Sequence, residues 1–287
     1  MSSSSLTAKF KDRFLEASDN GFTYDCKFIV GSENKVIEGH KMFFSLASEV
    51  FKAMFYGDLK EDNVVKIEDL DADGFEAMKY FIYTGEVNFS STIQALLTYI
   101  AARKYLISQL TKQCIVYIEQ NIKPSEVLEV YEYCETNNIP GFDDLCLKII
   151  EEETDQIVES GYFPTAKSET IQLILKSRRL TLESEIQVFK LFEKWALAKA
   201  SRENISDEKL ATSFGSLKKY IRFLTISKEE FTSQDVEHSL LLTQKEKEAI
   251  QSNLLLGSDL KPMPESLSVV QRQRSEKVPK RPFLVLK

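Results

Sequence analysis

The chain has few of the residues that most enzymes use for chemistry. Among 287 residues there are two histidines, one tryptophan and four cysteines. His40 precedes Lys41 at an expected helix start and reads as a hydrogen-bonded structural residue, while His238 lies in the polar stretch DVEHSLL. There is no H-x-x-x-H pair, no G-x-S-x-G and no phosphate-cradling glycine loop, and the ten glycines are scattered singly at turns. Cys26, Cys114, Cys134 and Cys146 form no C-x-x-C pair and sit in apolar surroundings. They read as buried free thiols of a reducing compartment rather than disulfides or metal ligands. Acidic runs such as Glu151-Glu152-Glu153 read as solvated helix faces. The expectation is a non-enzyme with no catalytic residue, no cofactor and no metal.

Excess positive charge is missing as well. Lys and Arg total 37 against 44 Asp and Glu, a net charge of −7, which argues against nucleic acid as the main partner. No segment approaches the ~20 consecutive apolar residues that cross a bilayer, and MSSSSLTAKFKDRF lacks the apolar run of a secretory signal. The expected location is the cytoplasm, with the nucleus second, and no membrane partner.

What is present is a globular composition, 43% hydrophobic and 28% charged, on a chain long enough for about two domains. Leu6, Phe10 and Phe14 recur at four-residue spacing, predicting a short amphipathic helix over 6–17. Tyr24, Cys26, Phe28 and Val30 alternate as one face of a strand, Gly31 to Asn34 marks a turn, and Val36 to Glu38 returns as a hairpin. Leu46, Ala47, Val50, Phe51, Met54 and Phe55 fall on a helical face, with Ser48 placed to cap the second of two short helices. Val64 to Ile67 predicts a third strand and Phe75 to Tyr83 a helix ended near Gly85. This mixture is α+β.

Beyond Thr92 the strand signals stop. Helices are predicted over 93–107, 114–122, 127–134, 142–154, 168–176, 184–200 and 207–214, with Pro124 placed to open one of them. The clearest has Val188, Phe189, Phe192, Trp195 and Ala196 on one face. Residues 257–287 contain proline, carry seven Lys/Arg against three Asp/Glu and show little periodicity. They read as a basic, disordered tail.

The blocks YDCKFIVG, GHKMFFSLASEVFKAMF and FIYTGEV, in that order and spacing, resemble the BTB (POZ) domain. The run SGYFPTAKSETIQLILKSRRLTLESEIQVFKLFEKWA resembles the BACK domain, through its Leu-Ile-Leu helix, the linker holding Leu180 and Leu182, and its Val-Phe-x-x-x-x-x-Trp helix. Within that group the chain looks most like the cullin-3 adaptors of the BTB–BACK–PHR type, without the PHR module. The resemblance implies a short three-stranded sheet with helices, followed by an all-α unit of helical hairpins. The corresponding division is a flexible N-terminus over 1–7, BTB over 8–122, BACK over 123–256 and the tail over 257–287.

It further implies a homodimeric substrate adaptor that recruits cullin-3 and positions an unidentified protein target for ubiquitination. The family's hydrophobic-x-Glu motif falls here on Leu59, Lys60 and Glu61, and Tyr99 is assigned to the same cullin-3 surface. The alternative for Leu59–Glu61 is a solvated loop. The first helices after BTB, near 127–150, would form a cleft for an extended cullin-3 N-terminus. Phe10 and Phe14, with no partner in their own segment, are assigned to a two-fold dimer interface, the alternative being packing on their own subunit. Asp25 and Lys41 correspond to a charged pair near that interface in family members. The competing function is a BTB scaffold or transcription-linked regulator that dimerises, even with complete adaptors, without cullin-3.

Overall fold

The computed structural model describes residues 13, 14, 16, 24–58, 63–232, 236, 238–256 and 261–274. They divide into two compact units, separated between Ile122 and Lys123.

In the first unit, β1 (Cys26–Val30) and β2 (Lys35–Gly39) pair antiparallel with Phe28 opposite Ile37. β3 (Val64–Ile67) joins the other side of β1 in parallel, giving the order β2-β1-β3. The alternation works as anticipated, because successive strand side chains point to opposite faces: Cys26, Phe28 and Val30 are buried, and Lys27 and Ile29 only partly. Around Phe28 gather Phe44, Phe51, Phe55 and Phe75, with ring centroids 4.8 to 6.0 Å from it. This aromatic cluster is the core onto which the helices fold.

The helices are α1 (Lys41–Ala47), α2 (Glu49–Tyr56), α3 (Ala72–Thr84), α4 (Thr92–Lys104) and α5 (Ser108–Asn121). Ser48 separates α1 from α2, and its hydroxyl accepts from the N–H groups of Val50 and Phe51, capping α2. Gly85 ends α3 with φ of 72°, a left-handed conformation that glycine adopts without a Cβ clash. Gly74 allows α3 to lie directly on α4, since a Cβ there would come within 2.6 Å of the Leu97 carbonyl.

The second unit is helical among its described residues. It runs through α6 (Val127–Asn137), α7 (Asp143–Glu152), α8 (Thr154–Val158), α9 (Ser168–Lys176) and α10 (Glu185–Glu203). There follow α11 (Asp207–Ser213), α12 (Gly215–Lys218), α13 (Lys228–Phe231) and α14 (Gln244–Leu256). Val188, Phe189, Phe192, Trp195 and Ala196 of α10 are all buried, and the Trp195 indole N–H donates to the Ala166 carbonyl at 2.8 Å.

Two expectations about the fold differ from the structure, and one helix was not expected. Pro124 lies in a turn rather than opening α6, which starts at Val127. α14 carried no expectation at all. The disordered tail is contradicted for residues 261–274, which pack on the helical unit. Asn253 accepts from the Lys261 N–H at 2.6 Å, Leu267 is buried, and Arg274 reaches Glu185. Isolated anchors, polar ones and the apolar Leu267, hold this segment, so it has no periodic pattern to betray it.

Candidate protein-interaction surface

The first unit leaves several large apolar side chains in water. The Ser48 hydroxyl donates to the Tyr105 carbonyl at 2.6 Å, and the Phe51 ring stacks on Tyr105 with centroids 3.9 Å apart. These contacts fasten the α1–α2 corner onto the α4–α5 junction. Leu46, two residues before Ser48, is 79% exposed, and Leu106, the residue after Tyr105, is 68% exposed. Tyr56, at the end of α2, is exposed as well.

Leu106 is also held at φ of 56°. The turn closing α4 demands this, with the Leu106 N–H donating to Arg103 and the Ile107 N–H to Ala102. A left-handed leucine costs on the order of 1–2 kcal/mol relative to ordinary backbone, and glycine is the usual residue at such a helix end.

Two family models match the chain. BTB/POZ covers residues 14–122, and BACK, "BTB And C-terminal Kelch", covers residues 127–234. The chain belongs to the BTB–BACK proteins. Human BTB/POZ domain-containing protein 3 is 26% identical over 241 residues, covering 82% of this chain and 46% of the relative. BTB/POZ domain-containing protein 6-B of Danio rerio is 24% identical over 232 residues, covering 79% of this chain and 48% of the relative. The chain therefore spans less than half the length of these relatives. BTB and BACK domains generally mediate contacts between proteins, so the functional surfaces of this BTB–BACK chain are sought on its exterior.

The residues assigned from sequence fare unevenly there. Leu59, Lys60, Glu61 and Phe10 lie outside the described residues. Tyr99 is only 7% exposed, with the Arg103 guanidinium 5.6 Å from its ring centroid. So little accessible area makes it a core residue of α4 rather than a contact residue, which corrects its assignment to the cullin-3 surface. Phe14 packs edge-on against Phe43 of its own unit at 5.3 Å and keeps 40% of its surface in water. It thus packs in part on its own subunit and leaves the rest of its surface exposed in the single chain.

Asp25 and Lys41 do meet, but differently from a simple ion pair. The Asp25 carboxylate accepts from the backbone N–H of Lys41 at 2.7 Å, at the start of α1. The Lys41 ammonium turns to the Asn63 side-chain oxygen at 2.6 Å and lies 5.4 Å from the Phe55 ring centroid. Asp25 is exposed in the single chain, so it caps α1 from the surface.

His40 has the structural role expected of it. Its backbone N–H donates to the Tyr83 hydroxyl at 2.9 Å, and its Nδ1 lies 2.8 Å from the same oxygen. Burial, above all, raises the Tyr83 phenol beyond its ordinary range. The four cysteines are buried and free, and burial pushes each thiol up to about 12. Among the described residues no group of three or more His, Cys, Asp or Glu is arranged to hold a metal ion. Nor is any described helix long and apolar enough to cross a membrane.

Sequence reasoning missed three buried carboxylates that organise the helical unit. Glu132 accepts from the Tyr162 hydroxyl at 2.9 Å and the Lys167 N–H at 2.7 Å. Glu185 accepts from the Arg222 N–H at 2.8 Å and from Arg274. Glu246 takes the Lys218 ammonium on both oxygens at 2.7 Å. Spacing along the chain does not point to these partners, which lie 28 to 89 residues away.

Proposed function

We propose that this chain is a homodimeric substrate adaptor that recruits cullin-3 through its BTB domain and positions protein targets for ubiquitination, in the cytoplasm or nucleus. The observation that carries the reading is a BTB domain followed within a few residues by BACK, a pairing typical of cullin-3 adaptors. The exposed apolar side chains Leu46, Tyr56 and Leu106 support it, because such side chains supply binding area when a partner covers them. Leu59 and Glu61 follow Tyr56 closely in sequence. In this reading Leu59 fills an apolar pocket on cullin-3, and Glu61 fixes the register through a charge-assisted bond.

The test is direct binding of the purified chain to the N-terminal domain of cullin-3. Leu59→Ala with Glu61→Ala should weaken binding by on the order of a hundredfold. No measurable affinity of the unmutated chain would overturn the adaptor reading, leaving a dimerising scaffold as the function.

A further inference from the structure

The chain as a whole is acidic, with a net charge of −7, yet the helical unit gathers cations around Tyr220. The Lys176 ammonium lies 5.0 Å from the Tyr220 ring centroid, and that of Lys219 lies 5.2 Å from it. Lys176 ends α9 and Lys219 follows α12, so separate elements bring two like charges to one ring. From much further along the sequence, Arg274 donates through Nη2 to the Tyr220 carbonyl at 3.0 Å. Arg222, two residues after Tyr220, donates through Nη1 to the Arg272 carbonyl at 3.1 Å. Lys176, Lys219 and Arg272 are exposed, while Tyr220 and Arg222 are half-buried.

The nearby carboxylates are largely committed. Glu185 is held by Arg274 on both oxygens. Glu183 and Glu230 line a cavity beside Arg274, and Glu230 is engaged in the Ser227 cap of α13. Burial first, and then the like charges of Arg274, Arg178 and Arg272, push the Arg222 guanidinium below its ordinary range, against the pull of Glu185. Three guanidiniums therefore weigh on Arg222 against one carboxylate. Holding like charges together is unfavourable, and an anion placed among them relieves the repulsion.

We propose that Tyr220, with Lys176, Lys219, Arg222 and Arg272, forms a docking site for a phosphorylated peptide segment of a partner protein. A phosphoryl group carries about two negative charges and three acceptor oxygens, which suits clustered ammonium and guanidinium donors better than a single carboxylate does. A nucleic-acid strand or an anionic membrane extends past the patch and meets the acidic remainder of the chain, whereas a short peptide meets the patch alone. Arg272 and Arg274 arrive on the segment 261–274, so the site is complete only while that segment is docked. The inference requires neither cullin-3 nor a dimer.

Fluorescence anisotropy on the full chain tests it, the probe being a fluorescein-labelled peptide of one phosphoserine flanked by glutamates and glycines. At physiological salt the phosphopeptide should bind more tightly than the same peptide carrying serine, by on the order of tenfold or more. Lys176→Glu with Lys219→Glu should remove that advantage while leaving the circular dichroism spectrum unchanged. Lys52→Glu with Lys112→Glu, the same change of net charge on exposed lysines of the first unit, should leave it in place. Equal binding of the two peptides, no binding of either, or a loss matched by the control pair would overturn the proposal. So would tighter binding of a short oligothymidylate, or of vesicles containing phosphatidylinositol bisphosphate, which would assign the patch to a different class of partner.

Discussion

Lys218 and Glu246 meet in the interior of the helical unit, with side-chain exposures of 1% and 6%. The ammonium also donates to the Leu241 carbonyl at 3.0 Å, and the carboxylate accepts from Ser266 and from the Thr243 N–H. Removing one partner leaves a buried charge without its counter-ion. Lys218→Ala should therefore cost about 3–5 kcal/mol in urea unfolding, while Lys218→Met with Glu246→Leu should cost much less than the sum of the single changes. Burial pushes the Glu246 carboxyl upward, but the bonds from Lys218, Ser266 and Thr243 outweigh it and hold the group below its ordinary 4.5. A carboxylate lowered in the folded state adds stability above its unfolded value and loses it as pH falls through the folded one. The helical unit should thus weaken as pH drops below 4.5, and Glu246→Gln should flatten that loss in a pH series of thermal melts. Leu106 poses the opposite case. Leu106→Gly removes a left-handed leucine and should stabilise the BTB domain by about 0.5–1 kcal/mol, while weakening the proposed cullin-3 binding if Leu106 is part of that contact. A variant that gains stability and loses affinity separates a contact role from a folding role.

At the level of elements, the segment 261–274 acts as a strap. The Arg274 guanidinium is bidentate on Glu185, at 3.0 and 2.8 Å, and reaches the Tyr220 carbonyl at 3.0 Å. It ties this segment to the start of α10 and to the stretch after α12. Arg274→Ala would leave Glu185 with its buried charge partly uncompensated, and a loss of about 3–5 kcal/mol is expected from denaturant melts. Shortening the chain after residue 256 should lower the melting temperature of the BACK unit at least as much, since it also removes Leu267 and Ser266. The elements themselves were unevenly legible. The β1–β2 hairpin and the Ser48 cap could be read directly, because strand alternation and a serine ahead of an apolar helix are local signals. Tyr99 was misjudged because the spacing of α4 cannot say which of its faces lies toward the core. The strap was missed because its anchors, among them Leu267 and Arg274, are isolated side chains with no periodic spacing.

For the molecule as a whole, the proposed dimer and the buried thiols give independent tests. Phe14 keeps an exposed face in the single chain, so Phe10→Asp with Phe14→Asp should convert a light-scattering mass of two chains to one. A mass unchanged at two chains would place the dimer contact elsewhere. With all four thiols pushed up to about 12 by burial, a thiol reagent at pH 8 should label the native protein negligibly and label four cysteines after denaturation, because only the thiolate reacts.

The sequence by itself determined the α+β unit, the helical unit after it and their family, because these rest on periodicity, caps and motif order, all of which act over a few residues. The tertiary structure alone decided which apolar side chains remain in water, where the buried carboxylates find their partners, and that residues 261–274 are part of the fold. Those outcomes depend on contacts between distant residues, where burial makes an unpaired charge too costly to leave without partners.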